Sequence, residues 1–127
     1  MPGTPRHPLS IGHYAAPPDM PVEAFLDAVA AHGLSGVGLT RAAIDAMPPD
    51  RLAGVLAARG LAATSLSSAG YFLRRDADER RAQERVNHAL VEAAATLGAP
   101  LNVIPGGPFA GGVTLEAARA AIVPRLE

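Results

Sequence analysis

Residues 31–40, with the sequence AHGLSGVGLT, decide the predicted fold, because they join the end of a helix to a buried strand. Gly33 is the residue type that ends helices in the left-handed conformation. Val37 and Leu39 lie in a short apolar run, which is typical of a buried strand. Residues 58–66, ARGLAATSL, repeat this junction with Gly60 in place of Gly33. The chain therefore alternates helix and strand, the pattern that predicts βαβ units and a parallel sheet.

The same pattern extends in both directions from this stretch. Strands are predicted at residues 9–15, 36–40, 61–66 and 101–104, and residues 1–8 are predicted to be a flexible segment. The first helix is predicted to follow an N-cap at Asp19 and to run to about residue 32, and the second to begin within residues 45–50 and to end at Gly60. The third is predicted over residues 79–97, before Gly98. The last is predicted to begin at Thr114 and to be interrupted by Pro124. Their predicted apolar faces are Val22, Phe25, Leu26 and Val29; Leu52, Val55 and Leu56; Val86, Leu90, Ala93 and Leu97; and Leu115, Ala118 and Ile122.

Four βα units are half of a (β/α)₈ barrel, whose full length is typically about 250 residues. Residues 9–127 are thus predicted to form a parallel α/β half-barrel of the TIM-barrel type. The repeated junctions also suit an open doubly wound sheet, although a flavodoxin-like sheet needs a fifth strand or a phosphate loop, and neither is visible. We expect an open half-barrel to expose two strand edges and an apolar interior, which favours pairing with itself or with a partner chain.

The composition excludes several classes of protein. The 127 residues are 49% hydrophobic with a net charge of −1, so a core can form but there is no electrostatic footprint for nucleic acid or an anionic membrane. Cysteine is absent, which excludes disulfides and thiolate metal sites. No apolar run approaches the roughly 20 residues of a membrane span, and the first residues do not resemble a secretory signal. The expectation is a cytoplasmic protein.

Familiar catalytic motifs are missing. Gly36 and Gly38 resemble part of a dinucleotide-binding motif, but the third glycine is missing, and the two lie within the predicted strand and not in the turn after it. Residues 105–112, PGGPFAGG, lack the Lys-Ser/Thr of a P-loop and are predicted to be a flexible loop whose N–H groups could hold an anion. There is neither a hydrolase nucleophile elbow nor a zinc spacing. The arginines at 74, 75, 80, 81 and 85 alternate with acidic residues, which predicts a solvated, self-compensating helix start.

The candidate site lies at the carboxyl ends of the strands, where parallel α/β folds bind their ligands. His13 could exchange a proton near neutral pH, or it could only donate a hydrogen bond at the mouth of the barrel. The polar and aromatic character of this rim suits a polyhydroxylated ligand. The residues predicted to line it are His13, Tyr14, Thr40, Arg41, Ser67, Ser68, Tyr71, Gly106 and Gly107, with Phe109 beyond them.

Two stretches resemble a known family. Residues 61–72, LAATSLSSAGYF, precede an Asp-x-x-Glu-Arg-Arg helix start at 76–81, and residues 87–107 read NHALVEAAATLGAPLNVIPGG. They resemble the third βα unit and the fourth strand of the sugar phosphate isomerase/epimerase group, the xylose isomerase-like TIM barrels, to which endonuclease IV is also related. The resemblance runs from about residue 9 to residue 127.

The resemblance implies a metal-assisted proton transfer on a small sugar or sugar phosphate. The family's divalent metal (Mn, Mg, Zn or Co) is held mainly by carboxylates and a His on later strands, beginning with a Glu on the fifth. No residue of this chain matches those ligands, so no metal ligand is assigned here and the chain alone is expected to be inactive. The charge and histidine pattern disfavours DNA repair. The alternative is a non-catalytic half-barrel that pairs with itself or with a partner.

Overall fold

The computed structural model describes residues 8–107 and 112–127. Within them, four parallel strands form one sheet in sequential order. Sequential order is that of a (β/α)₈ barrel, whereas a flavodoxin-like sheet has the order 2-1-3-4-5, so the predicted half-barrel is confirmed. The strands are β1 (Ser10–Gly12), β2 (Gly36–Thr40), β3 (Ala62–Gly70) and β4 (Leu101–Ile104). The helices are α1 (Val22–Ala31), α2 (Arg41–Ala46), α3 (Pro49–Ala58), α4 (Ala77–Leu97) and α5 (Leu115–Ile122).

The hydrophobic core lies between the helices and one face of the sheet. Val37 and Leu39 of β2 and Leu66 of β3 are at most 1% exposed. The predicted helix faces supply the other side, with Leu26, Leu52 and Leu90 likewise at most 2% exposed. Burying side chains of this size stabilises the fold by about 1.5–3 kcal/mol each, so the predicted apolar faces of α1, α3 and α4 hold these helices on the sheet. The face predicted for α5 is wrong in part, because Leu115 is 58% exposed and only Ala118 is buried.

The opposite face of the sheet presents several polar side chains, where the sequence predicted an apolar interior; the apolar Ile104, 45% exposed, lies two residues after Asn102 in β4. The exposed Ser10 and Thr64 hydroxyls form a 2.6 Å hydrogen bond across the face. Gly36 lies between them, and a Cβ there would stand 2.7 Å from Thr64 Cγ2. Further along, the Asn102 amide donates to Ser67 Oγ at 2.8 Å. Hydroxyl and amide groups therefore line the side that the helices leave open.

The predicted glycine terminators are confirmed. Gly33, Gly60 and Gly98 have φ values of 73°, 65° and 63°, the left-handed conformation that ends a helix. Thr114 caps α5 as predicted, since its hydroxyl accepts from the Ala117 N–H at 3.1 Å. The helix ends at Ile122, and Pro124 lies within a short 3₁₀ turn that follows it.

Two strands differ from their predicted lengths. β1 ends at Gly12 instead of residue 15, because a 3₁₀ turn over His13–Ala15 closes through the bond from the Ala16 N–H to the His13 carbonyl, at 3.0 Å. β3 continues to Gly70 instead of ending at residue 66, because its ladder with β4 extends to the Gly70–Ile104 pair. Ser67 and Ser68 therefore lie within a strand and not in a loop.

The helix starts also needed correction. The sequence did not predict α2, and α3 begins at Pro49, after it. Asp19 does not cap α1, whose N-cap is Pro21 with no side-chain bond. α4 begins at Ala77, two residues earlier than predicted, because the Asp76 carboxylate accepts from the N–H at position 79 at 2.9 Å. Residues 1–7 of the predicted flexible segment lie outside the described part of the chain.

Gly70 ends β3 under tight constraint. Its φ is 102°, and a Cβ would stand 2.2 Å from the carbonyl oxygen of Ile104. The side chain of Asn87 on α4 bonds both of its peptide groups: Oδ1 accepts from the Gly70 N–H and Nδ2 donates to the Gly70 carbonyl, each at 3.0 Å. Only glycine fits this position, because both the conformation and the space exclude a side chain.

We expect Gly70→Ala to lower the free energy of unfolding by about 2–4 kcal/mol, since it adds a backbone clash to an unfavourable φ. Gly98→Ala is the matched control. It has the same kind of φ but nothing within 4 Å of the new Cβ, and its expected cost is about 1 kcal/mol. Urea titrations of the two variants measure both values. Equal losses would contradict the close approach of β3 and β4 at this point.

Candidate functional site

The 3₁₀ turn after β1 and the end of β2 bring His13 and Thr40 together. His13 Nδ1 and Thr40 Oγ1 are 2.7 Å apart. The His13 ring also packs against Phe25 of α1, with the ring centroids 5.2 Å apart. Thr40 is only 5% exposed, the one buried polar or charged residue in the described part of the chain. The pair is therefore a fixed feature of the rim, because a buried hydroxyl needs its partner.

Burial lowers the pKa of the His13 imidazole from its ordinary value of 6.5. The cause is loss of solvation, which disfavours the charged ring. A histidine of this kind is neutral near pH 7, so one ring nitrogen accepts and the other donates.

An open cleft of about 450 Å³ adjoins this pair. Four of the predicted site residues line it: His13, Tyr14, Thr40 and Arg41. Tyr14 is 75% exposed. Arg41 is the first residue of α2 and forms an ion pair with Asp45, N to O 3.4 Å, on the exposed side of that helix. The sequence prediction thus selected residues that meet at one place.

The end of β3 forms a second polar group. Ser67 Oγ accepts from Asn102 on the open face, and Ser68 Oγ lies 2.8 Å from the Tyr71 hydroxyl. Tyr71 has a φ of 53°, unusual for a residue that is not glycine. This turn brings the phenol back beside its own strand, so Ser67, Ser68 and Tyr71 form a continuous polar edge.

The glycines after β4 have a smaller place in the site. Gly106 and Gly107 are partly exposed, and a Cβ on Gly107 would meet the Leu73 carbonyl oxygen at 3.1 Å. The loop after β3 thus contacts the loop after β4. Phe109, and positions 108–111 of the predicted flexible loop, lie outside the described residues.

A hydrogen-bonded network behind this edge was missed by the sequence prediction. Arg74 Nη2 donates to Gln83 Oε1, and Gln83 Nε2 donates to Asn87 Oδ1 at 3.0 Å. The Arg74 guanidinium also lies over the Tyr71 ring, 5.8 Å from its centroid. Gln83 and Asn87 are four residues apart on α4 beside the buried Leu90, so amides on the inward helix face were the available signal.

The arginine cluster is only partly self-compensating. Arg75 and Arg81 pair with Glu79 and Asp78, as predicted. Arg74 differs, because Gln83 and Tyr71 hold it half-buried. Its Nε is the one buried side-chain nitrogen or oxygen within the described ranges that has no hydrogen-bond partner.

The residues described here do not fit the divalent metal that the resemblance implies. Among residues 8–107 and 112–127, no three His, Asp or Glu side chains come together as a metal site would require. At the rim, His13 Nδ1 is taken up by a hydroxyl partner.

Within the same ranges, no helix is both long enough and apolar enough to cross a membrane.

The lowered pKa of His13 predicts the pH dependence of stability. Between the folded pKa and the unfolded value near 6.5, the unfolded chain binds more protons, so stability is complete above this interval and falls as the pH falls through it. We expect the unfolding free energy of the wild type to drop on acidification from pH 7 to pH 5 more than that of His13→Asn. Urea titrations at several pH values, with NMR titration of the ring, measure both effects. A ring that titrates above 6.5 would contradict the desolvation.

Several solved structures share this architecture. Protein SMc04130 from Sinorhizobium meliloti 1021 matches with a TM-score of 0.78 and 28% identity over 91% of this chain and 42% of that one. A xylose isomerase domain containing protein from Salmonella typhimurium matches with a TM-score of 0.65 and 17% identity over 92% of this chain and 43% of its own. A xylose isomerase domain protein from Alicyclobacillus acidocaldarius has a TM-score of 0.52, 16% identity, and coverage of 72% and 34%.

These matches define what the chain is similar to. No protein-family model matches it, and no curated protein is significantly similar to it. The chain spans less than half the length of the solved structures above, 42% and 43% for the first two. The matched region is the N-terminal part of those proteins. The four βα units thus have the fold of the N-terminal half of a xylose isomerase-like TIM barrel.

Proposed function

We propose that this chain forms the substrate-side half of a divalent-metal-dependent barrel enzyme that isomerises or epimerises a small sugar or sugar phosphate. The observation that carries the proposal is the polar open face of the sheet, where Ser10, Thr64, Ser67 and Asn102 present hydroxyl and amide groups. Such groups can donate to and accept from a polyhydroxylated ligand. The cytoplasmic location predicted from the sequence belongs to the same proposal.

Within this proposal, the chain binds and orients the sugar and leaves the metal to residues outside these four units. Asn102 and Ser67 lie on the open face, where they can contact sugar hydroxyls. His13 is neutral near pH 7 because its pKa is lowered, so its ring can accept or donate a hydrogen bond at the mouth. We assign no metal ligand among these residues and no step that needs a metal.

We expect pentoses such as xylose to shift the NMR signals of residues on the open face, with dissociation constants in the millimolar range typical of half a site. Asn102→Leu should abolish the shifts because it removes the amide and leaves the face apolar. Thr96→Val is the matched control: it removes an exposed hydroxyl on α4 that bonds the Glu92 carbonyl, away from this face.

Two results would contradict the proposal. Absence of any shift on the open face with a panel of aldoses and ketoses would remove the sugar-binding role. Isomerase turnover by the purified 127-residue chain, or tight Mn²⁺ binding by it, would contradict the assignment of the metal to other residues.

A second function, a half-barrel that pairs with a copy of itself, is favoured by the edge beyond β4. A cleft of about 610 Å³ there is lined by apolar side chains that include Val91, Val103 and Leu126. These side chains are 44–58% exposed. Because the sheet is parallel and sequential, β4 of each copy could pair with β1 of the other and close eight strands into a barrel.

We expect sedimentation equilibrium to give twice the chain mass if this pairing occurs, and Val103→Lys to shift the equilibrium toward monomer because it places a charge at the joint. Thr96→Lys, on an exposed part of α4, is the control. A stable monomer that does not bind a hydrophobic dye would argue against the pairing.

A further inference from the structure

The cleft of about 450 Å³ beside His13 and Thr40 is formed by the connection from β1 to α1 and by the start of α2. Its walls are mainly apolar, with Met20 and Val22 on one side and Ala42 on the other. No residue of the polar open face is in its lining. The cleft is therefore separate from the face to which the sugar is assigned, and its volume is within the range of small-molecule sites.

The connection that forms one wall of this cleft is held in shape before any ligand binds. The Ala16 N–H donates to the His13 carbonyl, and the Met20 N–H donates to the Pro17 carbonyl, each at 3.0 Å. Three prolines in the same wall fix their own φ angles. A ligand therefore meets a preformed apolar surface, so little of its binding energy is lost in ordering a loop.

Thr40 determines which nitrogen of the His13 ring carries the proton. The Thr40 hydroxyl is buried, and His13 Nδ1 is its one hydrogen-bond partner among the described residues. Because a buried hydroxyl hydrogen needs an acceptor, the hydroxyl donates to Nδ1, and the proton of the neutral ring lies on Nε2. A charged ring would have a proton on Nδ1 as well, and it would leave the hydroxyl hydrogen without an acceptor. The hydrogen bond thus favours the neutral ring, as burial does.

The Nε2–H group of His13 remains available to a ligand. Nε2 has no partner among the described residues. It is also not buried, because Arg74 Nε is the one buried side-chain nitrogen or oxygen of those residues that lacks a partner. Since His13 lines the cleft, its ring offers a fixed hydrogen-bond donor there.

Arg41 gives the cleft a permanent positive charge. None of the described residues in the lining is acidic. The ion pair of Arg41 with Asp45, 3.4 Å from N to O, is formed by two exposed side chains, and such pairs are weak. The carboxylate of a ligand can therefore take the place of Asp45, and a guanidinium group matches carboxylate oxygens in geometry and charge.

We propose that this cleft binds the carboxylate of a small apolar acid, with His13 Nε2–H and the Arg41 guanidinium as donors to its oxygens. One positive charge and one neutral donor match a monoanion. The apolar walls match a ligand body that has no hydroxyl groups, which distinguishes this ligand from a sugar. Thr40 is a positioning residue in this site, because it makes Nε2 the donor. The inference does not rest on the proposed function.

The test is a titration of the purified chain with benzoate at constant ionic strength, followed by the NMR signals of the His13 ring nitrogens and the Arg41 guanidinium. We expect the free protein to have the ring proton on Nε2, and we expect benzoate to shift both sets of signals with saturation. Benzamide has the same ring without the charge, and acetate has the charge without the ring. Each should bind at least tenfold more weakly than benzoate.

Arg41→Met should weaken benzoate binding at least tenfold, because it removes the positive charge of the cleft. Arg51→Met is the matched control. Arg51 is also exposed and paired with an acid, Glu23 at 3.7 Å, but it is not in the lining, so its loss should change the affinity less than twofold. Thr40→Val should weaken binding several-fold and move part of the ring proton to Nδ1, whereas Thr40→Ser, which keeps the hydroxyl, should retain both properties.

Other outcomes would overturn the proposal. These are no saturation with benzoate, equal losses in Arg41→Met and Arg51→Met, benzamide or acetate binding as tightly as benzoate, or a ring proton on Nδ1 in the free protein. Displacement of benzoate by xylose would contradict the separation of the cleft from the sugar face. Benzoate binding without any response to xylose would support the cleft and count against the sugar face. If Thr40→Val does not fold, the position of the proton in the wild type and the two arginine variants still decide the outcome.

Discussion

The site depends on one interaction, the pair of hydrogen bonds between the side-chain amide of Asn87 and the two peptide groups of Gly70. It joins the last residue of β3 to the longest helix, and Asn87 Oδ1 also accepts from Gln83, which in turn holds Arg74. The next residue, Tyr71, donates its N–H to the Ile104 carbonyl at 2.6 Å. The Asn87 side chain therefore joins the end of β3 to α4, and the backbone bond of the adjacent Tyr71 joins it to the end of β4. Without it, two buried backbone groups would lose their partners.

The two faces of the sheet differ in composition, and only one of them is packed under the helices. Leucine and valine side chains on one face pack under the helices and account for the burial that stabilises the fold. The other face has serine, threonine, asparagine and glycine, which contribute little apolar burial. Hydroxyl and amide groups can remain in water at no cost when a ligand is absent, and they can exchange water for sugar hydroxyls when it arrives. The polar face is therefore the one to which we assign the sugar in the proposed function.

The arginines of the chain differ in the partners that hold them. Several arginines form ion pairs with an acidic side chain, such as Arg59 with Asp27 at 2.6 Å and Arg125 with Glu84 at 2.7 Å. The bond to Asp27 raises the pKa of Arg59, so its charge is permanent but locally balanced. Arg74 has a neutral amide and an aromatic ring as its partners instead. Arg74 thus differs from these arginines in having no acidic partner among its hydrogen bonds.

Much of the fold was determined by the sequence alone. Apolar residues at helical spacing and glycines at helix ends act over a few neighbours, so Val22 to Val29, Gly33, Gly60 and Gly98 were predicted correctly, as was the alternation that produces a parallel sheet. The sequence predicted His13 and Thr40 at the carboxyl ends of the first two strands, where the structure also has them, whereas Ser67, predicted to follow β3, lies within it. The short α2, the N-cap at Pro21 and the end of β3 were not found, because each depends on pairing or packing with distant residues.

Only the tertiary structure decided how these pieces work together. The sequence favoured a half-barrel, but its repeated junctions also suited an open sheet, because the difference depends on which strands are neighbours. Nor could it show that the open face is polar, because a register shift between β2 and β3 determines which hydroxyls lie on it. The contacts between His13 and Thr40, between Ser67 and Asn102, and between Asn87 and Gly70 span 17 to 35 residues of chain. Local propensity contains no information about such distant partners, and only the folded backbone brings them within hydrogen-bond distance.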